Sequence, residues 1–310
     1  MSIRKYRHFN FNFAPKFNAM MICSSLLFIA SVVILLTKGL NFGVDFRGGS
    51  EIQVKFSKAI DLTKFRSDLE STQFKISSVQ SIGSENEYLI KVQADDKSIS
   101  RVTETFQNLF TSKYGDYGPD IRKTDIVGPK AGEELRWAGF KALLWAIIAI
   151  MIYVGLRFDM KYAPGVAIAL VHDVVITTAA FAVTGYEFSL QIVAALLAII
   201  GYSVNDTVII YDRIRENEER HAGLTLTDNI NRSINETLTR TLYTSGTTFT
   251  VSTIMLLMGG GVIHDFFFAI SFGIVIGTYS SGFVAGPITI LMEKFYSKNS
   301  NSTAAKQVKA

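Results

Sequence analysis

Residues 188–217 read FSLQIVAALLAIIGYSVNDTVIIYDRIREN. The first part, 188–211, stays apolar for long enough to cross ~30 Å of hydrocarbon at ~1.5 Å per residue. It nevertheless carries Asn205 and Asp206, and it runs without a break into the charged stretch Asp212, Arg213, Arg215 and Glu216. A carboxylate in hydrocarbon costs at least ~2.5–3.5 kcal/mol on insertion scales, so an acid at that depth is a functional hypothesis by default. The stretch reads as a membrane span with an acid one to two turns inside one boundary.

Working outward, segments 17–36, 138–156, 163–184, 242–258 and 266–292 repeat the apolar pattern. Apolar residues make up 48% of the 310 and charged ones 19%, and the mean hydropathy is +0.26. A water-soluble fold cannot bury six such helices in one core. The expected fold class is a polytopic α-helical membrane protein with six transmembrane helices.

A net charge of +4 and a pI near 9.0 raise the question of nucleic acid. Position answers it. Arg4, Lys5, Arg7 and Lys16 precede the first span, and Arg157 and Lys161 separate the second from the third. Arg213, Arg215, Arg220, Arg232 and Arg240 lie between the fourth and fifth. Lys294, Lys298, Lys306 and Lys309 follow the sixth, whereas 185–187 and 259–265 hold no Lys or Arg. This bias puts both termini in the cytoplasm and the long insert between spans one and two outside. The basic balance reports topology and attracts membrane lipid; a nucleic-acid partner is not expected. Cys23 is the one cysteine and lies in the first span, so no intramolecular disulfide forms and a small apolar filler is expected there. No small-x-small cleavage site follows before Lys38, so that span reads as an uncleaved anchor.

The expected organisation is a cytoplasmic tail at 1–16, a span at 17–37, a periplasmic domain at 41–130, spans two to six over 137–292 with a cytoplasmic loop at 212–240, and a cytoplasmic tail at 293–310, polar and disordered over 299–310. Within 41–130, residues 49–56, 74–82, 88–93 and 120–127 read as strands. Residues 61–71, with Asp61 as cap, and 98–114 read as helices. The turn 83–86 joins the middle strands. The order β-α-β-β-α-β is the ferredoxin-like one. Thr225 and Asp228 form a capping box, and Ile230, Ile234 and Leu238 share a face expected to lie on the membrane surface.

Inside the spans, His172 and Asp173 lie near the middle of the third, and Asp206, preceded by Asn205, near the inner end of the fourth. Arg240, at the start of the fifth, reaches a similar depth, and Ser245 with nearby threonines can hold water. An Asp206–Arg240 pair lowers the cost of burying both charges. Asp206 is then either half of a static helix–helix salt bridge or a proton carrier, with the Arg240 distance deciding whether it holds its proton. Arg240 is equally readable as an ordinary positive anchor. The His172–Asp173 pair is either a structural hydrogen bond or part of a relay. No phosphate loop, HExxH or GxSxG occurs, so an enzyme is not expected.

Residues 43–49 (GVDFRGG), 169–173 (ALVHD), 201–207 (GYSVNDT) with 211–217 (YDRIREN), and 231–241 with 244–248 resemble motifs of the SecD/SecF family. The fourth-span motif resembles its SecF branch closely, and the likeness covers 17–292. The resemblance implies a protein-export subunit of the RND superfamily in the bacterial inner membrane. It implies pairing with SecD, association with the SecYEG channel and its motor SecA, and action on exported unfolded preproteins. It implies no cofactor beyond protons as the coupling ion, and Asp206 and Arg240 as the key acid and arginine. A carboxylate alone suits sodium as well as protons. The rival reading, an RND-type small-molecule or lipid efflux half-transporter, fits poorly with so small an outer domain.

Overall fold

Over 49–55 the side chains alternate between two environments, as a strand covered on one face requires. In the computed structural model this segment is β2 (Gly49–Lys55). The structure describes residues 9–82, 86–94, 98–221 and 223–307, with side chains for all but 100, 262 and 297–307. Of the sequence expectations, Arg4, Lys5, Arg7, Lys309 and the turn residues 83–85 lie outside the described residues.

After β2 come α3 (Leu62–Glu70), β3 (Lys75–Ser81), β4 (Glu87–Gln93), α4 (Ile99–Tyr114) and β5 (Asp120–Val127). The strands form one antiparallel sheet in the order β3-β4-β2-β5. Asp61 starts α3 by accepting from the amides of Thr63 (2.8 Å) and Lys64 (3.3 Å). Ile52, Val54, Ile90 and Val92 point from the sheet into Phe65, Leu69, Val102, Phe106 and Phe110 of the two helices. Each such side chain contributes ~1.5–3 kcal/mol on burial, which gives a domain of this size its own core. The other face of the sheet carries Glu51 and Lys91.

The domain is spliced between α1 (Phe17–Thr37) and α5 (Pro129–Arg157). On the α1 side the chain passes through β1 (Asn41–Phe42) and α2 (Val44–Arg47). The remaining helices are α6 (Ala163–Thr184), α7 (Leu190–Arg220), α8 (Leu226–Met258), α9 (Gly261–Ser280) and α10 (Gly286–Gln307). Strand β6 (Glu187–Phe188) lies between α6 and α7 and pairs in parallel with β1. A π-helical turn, Ser281–Ala285, joins α9 to α10.

Among the described residues, five helical segments are long and apolar enough to cross a membrane: Ala14–Thr37, Pro129–Arg157, Ala163–Thr184, Leu190–Arg220 and Ile263–Tyr296. The expected fifth span, within α8, packs beside α7 and α9 but falls short in hydropathy, because Thr and Ser recur from Thr241 to Thr253. Several of these hydroxyls are satisfied within the helix, as where Thr244, Thr247, Thr248 and Thr250 donate to carbonyls four residues back at 2.8–3.0 Å. Two further expectations change. Cys23 is exposed on the outside of α1 and fills no core gap. Of the tail expected to be disordered, 299–307 is helical, because α10 continues beyond its apolar part, and 308–310 lie outside the described residues.

The domain rests on the helices by its open sheet face. Lys91, only 5% exposed, reaches Glu51 at 3.2 Å and Glu187 of β6 at 3.0 Å. At the start of α9, a Cβ on Gly261 would overlap the Gln80 side chain of β3, so glycine there permits the close approach. At the opposite end of the bundle, Arg213, Asn217 and Arg232 converge on Glu236 at 2.6, 2.8 and 2.9 Å. Asn231 and Asn235 of α8 bind the backbone of Phe11, Phe13 and Ala14 at 2.7–3.1 Å, which ties the segment before α1 to α8.

Candidate functional site: buried carboxyls in the helix bundle

The buried residues of α7 include Ser203, Asp206, Thr207, Ile210, Tyr211, Ile214 and Asn217. That three-and-four spacing puts them on one face of the helix. Asp206 is therefore inside the bundle, 2% exposed, while its neighbour Asn205 is exposed.

Asp206 Oδ2 accepts from the Ser245 hydroxyl of α8 at 3.3 Å. Ser245 in turn accepts from Thr278 of α9 at 2.9 Å. Arg240 lies within electrostatic reach of Asp206, but it is exposed and makes no ion pair with it. The expected Asp206–Arg240 contact is thus replaced by Asp206–Ser245. Rotation about the axis explains the difference: Arg240 and Ser245 are five residues apart, so at ~100° per residue they point ~140° apart. With Ser245 turned to Asp206, Arg240 is turned away.

His172 and Asp173 are both buried, Asp173 to 1% exposure. The Asp173 carboxylate meets His172 Nδ1 at 3.0 Å and accepts from Ser203 of α7 at 2.7 Å and Ser280 of α9 at 2.8 Å. Two donating hydroxyls and an imidazole nitrogen around one buried carboxylate make a well-satisfied site. His172 Nε2 is buried without a partner. Ser203 is one turn from Asp206 on α7, so the two carboxyl sites share that helix. Thr207, between them and the far end, donates to Ser281 of the π turn at 3.0 Å. Such turns recur at functional positions in helices. Ser203, Ser280 and Thr278 were not candidates from sequence. In the sequence Ser203 stands only as part of the 201–207 motif, and the others give no signal beyond a serine pair, 280–281, in an apolar run.

Among the described residues no group of three or more His, Cys, Asp or Glu side chains is placed to hold a metal ion. The carboxyl sites are held by hydrogen bonds from hydroxyl neighbours, which are neutral.

Both ends of α7 are tied. At its start the amide of Leu190 donates to the Asp45 carboxylate at 2.9 Å. Asp45 belongs to the GVDFRGG segment, which continues into β2 of the domain. Gly48 and Gly49 have φ of 83° and 150°. A Cβ on Gly49 would overlap the Val92 carbonyl oxygen, and one on Gly48 would lie 2.7 Å from Pro129 at the start of α5. The two glycines hold the domain, α5 and the α7 cap together at one point.

Residues 107–295 match the family model described as protein export membrane protein SecD/SecF, C-terminal, and residues 33–60 match the SecD/SecF GG motif. The chain belongs to the SecD/SecF family. Its relatives include the protein translocase subunit SecF of Magnetococcus marinus, 43% identical over 92% of both chains. The subunit of the same name from Vibrio alginolyticus is 40% identical over 87% of this chain and 85% of its own. Among solved structures, SecDF of Thermus thermophilus, a translocon-associated membrane protein, aligns with a TM-score of 0.77 at 32% identity. It covers 95% of this chain, while this chain spans only 40% of the SecDF chain. SecDF in a super-membrane-facing form aligns at 0.71 and 31% identity, covering 98% of this chain and 41% of its own. In SecD/SecF terms, the GG motif is the segment that caps α7 through Asp45.

Proposed function

We propose that this chain is the SecF-type half of a SecD–SecF pair that assists protein export across the bacterial inner membrane at the expense of the proton-motive force. The observation that carries the proposal is Asp206: a carboxyl 2% exposed in the fourth span, bonded among the described residues to a single neutral hydroxyl, with a guanidinium that has no ion pair among them within electrostatic reach. Such a group changes charge when a neighbouring helix moves, because the energy of its charged form depends steeply on Arg240. A proton falling through ~100 mV releases ~2.3 kcal/mol, enough to shift a two-state equilibrium about fiftyfold. Helix α7 conveys the change, since Asp206 sits on it and Asp45 of the GG motif holds its start.

On this reading α8 crosses the membrane as the fifth of six spans, and its polar exposed face meets protein. Gly246, Thr247, Thr248, Asn205 and Arg240 are all exposed at membrane depth, where lipid offers them no partner. SecD is the partner that covers them. The inserted domain is then a ferredoxin-like periplasmic domain, both termini are cytoplasmic, and the pair serves the SecYEG channel after SecA has started an unfolded preprotein on its way. Protons are the coupling ion, because one carboxyl with one hydroxyl exchanges a proton without a cage of oxygen ligands. The test is Asp206→Asn. The variant inserts and co-purifies with SecD but loses the part of export that depends on the proton-motive force. Export at the wild-type rate contradicts the proposal.

A further inference from the structure

Between α5, α6 and α7, in the half of the bundle nearest the domain, runs a groove of about 370 Å³. Phe140, Leu144 and Ile147 of α5 form one wall, and Val171 and Val175 of α6 with Leu196 of α7 form the other. One charged side chain lines it. Arg136 stands at the domain end, its guanidinium over the Phe42 ring at 5.6 Å. Arg136 is exposed and has no ion pair among the described residues, and Glu133 and Glu134 nearby on α5 are exposed without pairing to it. From Arg136 to Ile147, α5 advances about 16 Å at ~1.5 Å per residue, the depth of one leaflet of a ~30 Å hydrocarbon core. Trp137, exposed beside Arg136, sits where aromatic side chains mark the membrane–water boundary.

The groove also faces away from the polar surface of α7 and α8. On α7, Val193 and Leu196, which line it, lie about 120° and 180° around the axis from Asn205 at ~100° per residue. This rests on the reading in which SecD covers the polar face; lipid is then what meets the groove. We propose that it seats one phospholipid of the leaflet at the domain end, with the phosphate on the Arg136 guanidinium and an acyl chain along the apolar walls. The planar guanidinium donates to two phosphate oxygens at once, and Phe42 fixes its plane. The lipid fills the wedge between α5, which hangs directly from β5 of the domain, and the α6–α7 pair that holds the carboxyl sites.

The experiment is native mass spectrometry of the full chain in mild detergent with phosphatidylglycerol added as the probe. The wild type retains one phosphatidylglycerol. Arg136→Gln lowers retention about tenfold, the loss of a charge-assisted hydrogen-bonding partner. Val175→Phe, which narrows the groove, lowers it as well. Both variants keep the melting temperature measured in lipid-free detergent, and where Val175→Phe fails to fold, Leu144→Trp takes its place. Equal retention by Arg136→Gln, meaning bulk shell lipid only, overturns the proposal. So does displacement by inorganic phosphate with no effect of the narrowing variant. A disulfide from Leu144→Cys to another subunit also overturns it, because a partner helix then fills the groove.

Discussion

At residue scale the site turns on which side chains face which. Asp206 is legible in the sequence because a charge in an apolar run is costly and stands out. Arg240 is legible by depth, but depth says nothing about rotation, and helical phase gives the hydrogen bond to Ser245. The account expects Arg240 to act through its field rather than through a fixed contact. Arg240→Lys therefore keeps part of the gradient-driven export rate in inverted membrane vesicles, and Arg240→Met loses it. Equal rates in the two variants and the wild type make Arg240 a mere topology anchor. The serines around Asp173 are hidden from sequence for another reason. Serine is common in such helices and usually bonds its own backbone. Only the convergence of α6, α7 and α9 turns Ser203 and Ser280 into carboxylate donors.

At the scale of elements, the strands and helices of the inserted domain follow from alternation and caps, as at Asp61 and over 49–55. The attachment of that domain to the bundle does not, because Lys91 and Glu187 are 96 residues apart. Burial opposes the charge on Lys91, yet Glu187 and Glu51 beside it outweigh that and raise its pKa above 10.5. Removing the ammonium leaves Glu187 half-enclosed without its partner. Lys91→Met is expected to cost about 3 kcal/mol in a thermal or denaturant melt and to expose the junction to protease, with Glu187→Gln restoring part. A wild-type melt for Lys91→Met means the contact is ornamental. Gly49 is a stricter constraint, with φ of 150° and the Val92 carbonyl where a Cβ would be. Gly49→Ala is expected to cost ~2–4 kcal/mol, read as a fall in the amount of folded protein in the membrane. A normal amount shows that the junction can rearrange. Helix α8 differs from the other long helices in its hydroxyls, which lower its hydropathy although they bond to their own helix.

At the scale of the whole molecule, the described bundle is pinned at both ends and carries its buried carboxyls between. The far end depends on Glu236. Burial opposes its ionisation, but hydrogen bonds from Asn217, Arg232 and Arg213 outweigh this and hold its pKa at about 2, below the ordinary 4.5. A depressed carboxyl pKa stabilises the fold fully above pH 4.5, and the contribution is lost as pH falls from there towards 2. Glu236→Gln is thus expected to lower the melting temperature at pH 7 and to narrow the difference from wild type as the pH is taken below 4.5. A pH-independent difference contradicts the assigned partners. The central claim is that the Asp206 carboxyl gains and loses a proton during the cycle. Infrared difference spectroscopy of the reconstituted SecD–SecF pair, with a proton gradient switched on and off, reads this directly. A protonated-carboxyl band is expected to follow the gradient in the wild type and to be missing in Asp206→Asn; the same band in both proteins rules out proton exchange at Asp206.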